Sequence, residues 1–255
     1  MKTKIQKFIR KANILLFSKN LPKNVVLYFH ETNEKELIEI RNIINFFRFM
    51  GYKFLTINEL SRSLHLQNRT ISLTFDDGFT NWLEVANLLS QQKIKGTFFC
   101  NSINLTSEEL SRFYKNINLK NNIEIMNISQ FKVLSKTEHE IGSHTHSHET
   151  LSGLKFENFK YEIDKNLEIL SKYNEIKSFA IPYGMKRYIT RKQINYISSI
   201  FEVACYGEPG LLFNHKKDKI ERSPWKVNEN FNSNIENIKT NTILFNSITK
   251  RSGLG

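Results

Sequence analysis

Short apolar runs that alternate with longer stretches of helical period constrain the folding of this chain more than any other feature. Val25-Val26-Leu27-Tyr28-Phe29 reads as a strand, and residues 34–50, with Leu37, Ile38, Ile40, Ile43, Ile44 and Phe47, read as a helix that Gly51 can end. Further strands are expected at 53–57, 71–75, 96–100, 140–143, 178–181, 201–205 and 220–222, and helices near 80–92, 106–116, 129–136, 155–173 and 188–199. Thr106-Ser107-Glu108-Glu109 has the capping-box pattern and should open one of these helices. Repeated strand-then-helix order argues for an α/β fold with a parallel sheet, either open or closed into a barrel. There is no internal repeat and no Pro-, Gly- or Ser-rich linker. The 255 residues therefore read as one large domain, followed from about residue 226 by a polar, Asn-rich tail, 226–255, that is partly irregular.

Charge narrows the partners. The net charge of +12 suggests nucleic acid, because clustered Lys and Arg neutralise phosphates. Lys2, Lys4, Lys7, Arg10, Lys11, Lys19 and Lys23, however, place seven of those charges in an acid-free arm, residues 1–24, so nucleic-acid binding is not expected of the domain. Within the arm, Ile5, Phe8, Ile9, Ala12, Leu15 and Leu16 recur at helical spacing between the basic residues. Such a helix suits either an anionic membrane face or packing on the domain. Its longest apolar run, Ile14-Leu15-Leu16-Phe17, is short for a signal peptide and no small-residue cleavage site follows. Together with the absence of a transmembrane stretch, this favours a cytoplasmic location, with peripheral attachment to the inner membrane face open to the arm. Two distant cysteines, Cys100 and Cys205, exclude a cysteine zinc site and a disulfide-stapled scaffold.

In parallel α/β folds the chemistry gathers where strands end. Thr74-Phe75-Asp76-Asp77-Gly78 ends an apolar strand. Alternating side chains send adjacent carboxylates to opposite faces, so both serve one site only if the chain turns there, which Gly78 allows. Taken alone, Asp-Asp-Gly also fits a solvated loop. The segment 139–148 holds four of the seven histidines, His139, His144, His146 and His148. If extended, His144 and His148 would stand about 13 Å apart, too far to share an ion bound at about 2.0–2.1 Å. A shared metal therefore demands a turn, which sends His146 to another face. With one carboxylate the pair makes a two-His, one-Asp set with open positions for water and substrate. Pro182-Tyr183-Gly184 forms a turn able to aim a backbone amide into a cleft, and His30 ends the first strand.

Taken in order, Thr74-Phe75-Asp76-Asp77-Gly78, Lys95-Gly96-Thr97-Phe98-Phe99, the segment from Glu140 to His148 and Pro182-Tyr183-Gly184 resemble the motifs of NodB-like polysaccharide deacetylases. Asn127-Ile128-Ser129-Gln130-Phe131 resembles the helix that precedes the histidine motif in that family. The resemblance spans about 25–225. It implies a distorted (β/α) barrel with fewer strands than the eightfold form, and hydrolysis of N-acetyl, sometimes O-acetyl, groups on sugars. It also implies roles: Asp77, His144 and His148 holding a divalent metal, zinc first, with cobalt, nickel or manganese as alternatives; Asp76 as general base; the Tyr183 amide as oxyanion donor, with Pro182 and Tyr183 contacting substrate.

Two departures qualify the resemblance. Ala180 stands where many members carry the Arg that pairs with the catalytic Asp, a variant found in the branch acting on exopolysaccharides such as poly-N-acetylglucosamine; Arg222 is the candidate substitute. The usual C-terminal Leu-x-Leu-His is absent, and Ile243-Leu244-Phe245-Asn246 has no His. Leu27-Tyr28-Phe29-His30 supplies a strand-ending His at the other terminus, as in members of that branch that look permuted. In a closed barrel the first and last strands are neighbours, so His30 can reach the same site as the general acid. The expected activity is metal-dependent deacetylation of an acetylated amino sugar of a surface polysaccharide or its precursor. Amide hydrolysis on a small molecule and a non-catalytic glycan-binding domain of the same fold are the rivals.

Overall fold

The computed structural model describes residues 21–30, 34–63, 69–106, 108–118, 124–208 and 219–240. Most of the basic arm, the segment 243–246 and the end of the tail lie outside them. The strands are β1 (Asn24–Phe29), β2 (Lys53–Phe54), β3 (Thr70–Asp76), β4 (Thr97–Cys100), β5 (Glu140–Ser143), β6 (Ser178–Ala180), β7 (Val203–Tyr206), β8 (Ile220–Glu221) and β9 (Ser223–Pro224). The helices are α1 (Glu34–Phe49), α2 (Ile57–Ser63), α3 (Trp82–Gln91), α4 (Ser111–Asn116), α5 (Ile128–Leu134), α6 (Phe156–Leu170) and α7 (Arg191–Ile200). Residues 231–240, in the tail, are also helical, and their Ile235 and Ile238 are buried in the main core.

The ladder runs β8-β7-β6-β5-β4-β3-β1-β9, and every pairing is parallel. Its two ends, β8 and β9, are separated by Arg222 alone. One extended stretch of chain pairs with β7 through its first half and with β1 through its second, which closes the sheet into a barrel. β2 lies beside the start of β3, where β4 has not yet begun to pair.

Period-two alternation sorts each strand between two environments. Val25, Leu27 and Phe29 of β1 and Ile71, Leu73 and Phe75 of β3 join the large core shared with the helices. Val26, Phe99, Ala180, Val203, Cys205 and Ile220 form a second cluster within the barrel, floored by Ile57 and Leu60 of α2. The same alternation turns Ser72, Thr74 and Asp76 of β3 inward. At the floor, Glu140 accepts from the Asn58 N–H (3.0 Å), Thr97 Oγ1 (3.1 Å) and Ser178 Oγ (2.5 Å), tying three strands to the start of α2.

Local signals account for the departures from the expected elements. The strand expected over 53–57 stops at Phe54 because Thr56 and Glu59 form a reciprocal cap: Thr56 N–H donates to Glu59 Oε2 (2.9 Å) and Glu59 N–H to Thr56 Oγ1 (3.3 Å). Thr106 opens no helix. Its N–H and hydroxyl both donate to Ile103 O, ending the 3₁₀ turn Ile103–Leu105, and α4 starts only at Ser111. True capping boxes stand at Asn127/Gln130 before α5 and at Thr190/Gln193 before α7.

Beyond β6, Gly184 N–H closes a turn onto Ile181 O (2.9 Å), with Tyr183 at φ 58° and Gly184 at φ 66°. Gly207 N–H then bonds Gly184 O (2.9 Å), and a Cβ on Gly184 would overlap the Gly207 backbone. Gly184→Ala should therefore cost about 2–3 kcal/mol of stability, read by urea unfolding; an unchanged midpoint would contradict the close approach.

Candidate metal and catalytic site

Asp76 and Asp77 end β3, and the backbone separates their fates. Asp76 keeps the inward direction of its strand, while Asp77 (φ 84°) and Gly78 (φ 87°) adopt left-handed conformations that swing the second carboxylate back over the barrel mouth. A side chain pays strain for this geometry that Gly does not, and such strain clusters at functional sites. The turn required between His144 and His148 is present as a bend rather than a helical turn, with Thr145 at φ 68° and His148 at φ 58°. His148 N–H donates to Thr145 Oγ1 (3.0 Å) across it.

These turns bring Asp77, His144 and His148 together. Asp77 Oδ1 lies 3.4 Å from His144 Nε2 and 3.3 Å from His148 Nε2. One ligand atom from each of the three falls within 4.8 Å of the others, and all three residues are buried. Asp77 Oδ1 makes no hydrogen bond among the described residues. A buried acceptor without a donor, facing two imidazole nitrogens, fits a divalent cation. His144 Nδ1 is 2.8 Å from Ala180 O, which fixes the ring so that Nε2 faces the site. The ring of His148 packs edge-on against Tyr183 at 4.8 Å between centroids. His146 faces away, as the turn requires: its Nδ1 meets Ser102 Oγ (2.8 Å) and its Nε2 meets Glu108 Oε2 (3.1 Å).

Arg222 reaches Asp76 from the closing strand. Its Nη1 and Nη2 donate to Asp76 Oδ1 (2.7 Å) and Oδ2 (2.8 Å), and Nη1 also donates to Thr74 Oγ1 (3.1 Å). The guanidinium sits between the rings of Tyr28 (5.0 Å) and Phe99 (5.1 Å), a bidentate and stacked setting that Lys could not reproduce. Burial, the largest single influence, pushes the Asp76 pKa up; the charge of Arg222, then that of His144, and the Arg222 hydrogen bonds outweigh it and hold the carboxyl below its ordinary value. Burial also pushes Asp77 up, and His148 and His144 reverse that effect, so both carboxylates remain ionised at neutral pH.

His30 directly follows β1 and has a half-exposed ring whose Nε2 is 4.0 Å from Asp77 Oδ2. It lines, with Tyr28, Tyr183, Met185 and Tyr188, a cavity of about 370 Å³ that contains both aspartates, His144, His148 and Arg222. The Tyr183 side chain is 44% exposed and its hydroxyl donates to Asn116 O (2.9 Å). Pro182 is buried and lies outside the residues that line the cavity.

The motif pattern does not single out Glu162 or Asn166 of α6, which hold the histidine loop. Glu162 accepts from Ser147 N–H (2.7 Å) and Ser147 Oγ (2.6 Å), and Asn166 Nδ2 donates to Thr145 O (2.6 Å). Their signal in the sequence is polarity on an apolar stripe, since the other buried positions of α6 are Phe159, Ile163, Ile169 and Leu170.

Residues 64–198, more than half of the chain, match the family described as polysaccharide deacetylase, and the chain belongs to that family. No curated protein sequence matches it. Among solved structures, the fold is similar to that of the Streptococcus pyogenes deacetylase PplD in complex with acetate. Identity there is 15%, with 85% of this chain and 97% of that one covered, at a TM-score of 0.65. IcaB from Ammonifex degensii is 18% identical over 84% of this chain and 95% of its own, with a TM-score of 0.67. A de-N-acetylase from Aggregatibacter actinomycetemcomitans is 14% identical, over 84% and 99%, with a TM-score of 0.63. His30 and Arg222 both fall outside the stretch matched to the family; the pairing of β1 with β3 brings His30 to the site and the closing stretch 220–224 brings Arg222.

Proton competition follows from the imidazoles. Burial, the largest influence on each, disfavours the charged form. At His144 the charges of Asp76 and Asp77 outweigh it, raising the pKa above 6.5; at His148 burial prevails, with the Asp77 charge opposing it, and the pKa falls to about 4. Zn²⁺ affinity should therefore fall by about tenfold per pH unit as pH drops below the raised His144 value, and by about a hundredfold per unit only below about pH 4. Competition titration across pH 4.5–8 checks this; a slope near two throughout would contradict the assignment.

Proposed function

We propose that the protein is a metal-dependent deacetylase that removes N-acetyl groups from an amino sugar of a surface polysaccharide or its precursor. The observation that carries this reading is the convergence of Asp77, His144 and His148 beside an Arg-clasped Asp76 in one cavity, in a chain of the polysaccharide deacetylase family. Zinc suits the two-imidazole, one-carboxylate donor set, with cobalt, nickel and manganese as alternatives. When bound, such a cation supplies Lewis-acid polarisation of the acetyl carbonyl and lowers the pKa of a water ligand.

The protein's own groups take the remaining roles. Asp76 accepts a proton from the attacking water, while the bidentate grip of Arg222 fixes the orientation of its carboxylate. As the water oxygen bonds to the acetyl carbon, the Tyr183 backbone N–H, in the left-handed turn after Pro182, donates to the developing oxyanion. The C–N bond then breaks and His30 gives a proton to the leaving amine, yielding acetate and a free amino sugar. Cavity access and nearness to Asp77 support His30 in this role. Ala180, with Arg222 holding Asp76 in its stead, supports a reading of the chain with the Phe-Ala-x-Pro-Tyr-Gly branch, whose substrates include poly-N-acetylglucosamine. The tyrosines of the cavity wall suit the apolar faces of a pyranose, and a second cavity of about 300 Å³ shares Tyr28 and His30 with the first, room for a neighbouring sugar. Residues 25–225 would carry the catalytic groups, with 1–24 available for attachment at the inner membrane face and the segment from 226 adding the helix 231–240 to the main core; no described helix is long and apolar enough to cross a membrane.

Acetate release from N-acetylglucosamine oligomers should require metal, stop with a chelator and return on adding Zn²⁺. Asp76→Asn should lower kcat/KM by about 10²–10⁴-fold and His30→Ala by about 10²-fold. Near wild-type turnover in His30→Ala would remove it as the acid, and metal binding without acetate release from any acetylated amino sugar would favour a glycan binder. Oligomers should exceed the monomer in kcat/KM by about tenfold through contacts beyond the reacting sugar; equal values would point to a small-molecule substrate.

A further inference from the structure

We infer that Glu162 and Asn166 of α6 are positioning residues that hold the histidine loop in its metal-binding shape. The inference rests on the reading of Asp77, His144 and His148 as the metal set. Between His144 and His148 the chain passes through two left-handed residues, Thr145 and His148, a path that an unsupported loop would leave. Its peptide groups are held by fixed partners. The carbonyls of His144 and Thr145 accept from Asn101 Nδ2, and Thr145 O also accepts from Asn166 Nδ2 (2.6 Å). His146 N–H donates to Glu162 O (2.9 Å), Ser147 N–H to Glu162 Oε2 (2.7 Å) and Ser147 Oγ to Glu162 Oε1 (2.6 Å). Ser147 O accepts from Asn116 Nδ2 (2.9 Å).

Glu162 thus grips two consecutive loop residues with its backbone and both carboxylate oxygens. Asn166, one helical turn on and on the same face, links the loop to β4 and β5: its Nδ2 also donates to Cys100 O (3.0 Å), and its Oδ1 accepts from Ser143 Oγ (2.7 Å). Glu162 is buried and forms no salt bridge with a Lys or Arg among the described residues. A carboxylate in the apolar stripe of a helix is unfavourable unless donors satisfy it, and among the described residues its donors are the N–H and the hydroxyl of Ser147. The next residue is His148, so displacement at Ser147 moves that imidazole directly. Fold maintenance alone would be served by an apolar residue at this position. The two side-chain oxygens instead set the directions of one N–H and one O–H, both of Ser147.

The test uses the full chain with Zn²⁺ as the only probe, so it does not depend on any acetylated substrate. Zn²⁺ Kd by chelator competition and the melting temperature of the metal-free protein are measured for wild type, Glu162→Ala, Glu162→Asp and Glu162→Gln. Glu162→Ala should weaken Zn²⁺ binding by about 10–100-fold. Glu162→Asp, which withdraws the carboxylate by one methylene, should weaken it by about tenfold, and Glu162→Gln, whose amide oxygen still accepts from Ser147 N–H, should stay within a few-fold of wild type. If Glu162→Ala does not fold, the Asp and Gln variants decide the matter by the same ordering. Unchanged Zn²⁺ Kd alongside a lowered melting temperature would overturn the proposal and leave Glu162 a purely structural group. Failure of the wild-type protein to bind Zn²⁺ or another divalent cation would instead overturn the metal reading on which it rests.

Discussion

The stretch 220–224 sets the geometry on which the rest depends. It pairs with β7 through Ile220–Glu221 and with β1 through Ser223–Pro224, and Arg222, at the changeover, sends its side chain into the barrel on the same face as Ile220. There it meets Asp76 through two hydrogen bonds, with the rings of Tyr28 and Phe99 on its flanks. Neither member of such a pair is stable alone in that interior. An unpaired carboxylate or guanidinium would carry a desolvation cost of several kcal/mol, so the charge of Asp76 depends on the guanidinium that the closing stretch supplies. On the other side of β1, its parallel pairing with β3, from Asn24↔Thr70 to Phe29↔Phe75, sets His30 at the mouth of the barrel beside Asp76 and Asp77.

Two neighbouring aspartates are thereby given different chemistry. Asp76 follows the pleat inward, and both its oxygens are occupied by Arg222. Asp77, one residue later and in a left-handed conformation, presents an oxygen without a hydrogen bond to two imidazoles. Separation of function between adjacent carboxylates comes from backbone direction and local charge rather than from residue type. The imidazoles are likewise differentiated, His144 by its contact with Ala180 O and by the aspartates, His148 by its burial.

Much of this was legible in the chain. Alternation of apolar runs with helical periods placed the main strands and helices to within a few residues, and the ordered motifs from Thr74 to Gly184 pointed to the family to which the chain belongs. The short elements were less legible because adjacent caps compete. Thr56-Ile57-Asn58-Glu59 and Thr106-Ser107-Glu108-Glu109 carry the same pattern, yet only the first caps a helix. Thr106 is already committed to Ile103 O, and Glu108 is drawn to His146. That choice is made by partners distant in sequence, which no local pattern contains.

The sequence by itself determined the alternation that turns Asp76 inward, the Gly and Asp residues that permit a turn at the end of β3, and a histidine spacing that requires a bend before two rings can share one ion. Only the tertiary structure decided which arginine holds Asp76, where His30 lies and what supports the histidine loop. Arg222 stands 146 residues from Asp76, and Glu162 stands 15 from Ser147 on a different element. Their contacts exist because a closed parallel barrel makes neighbours of strands remote in sequence, and because a buried charge accepts only a partner placed within hydrogen-bond reach.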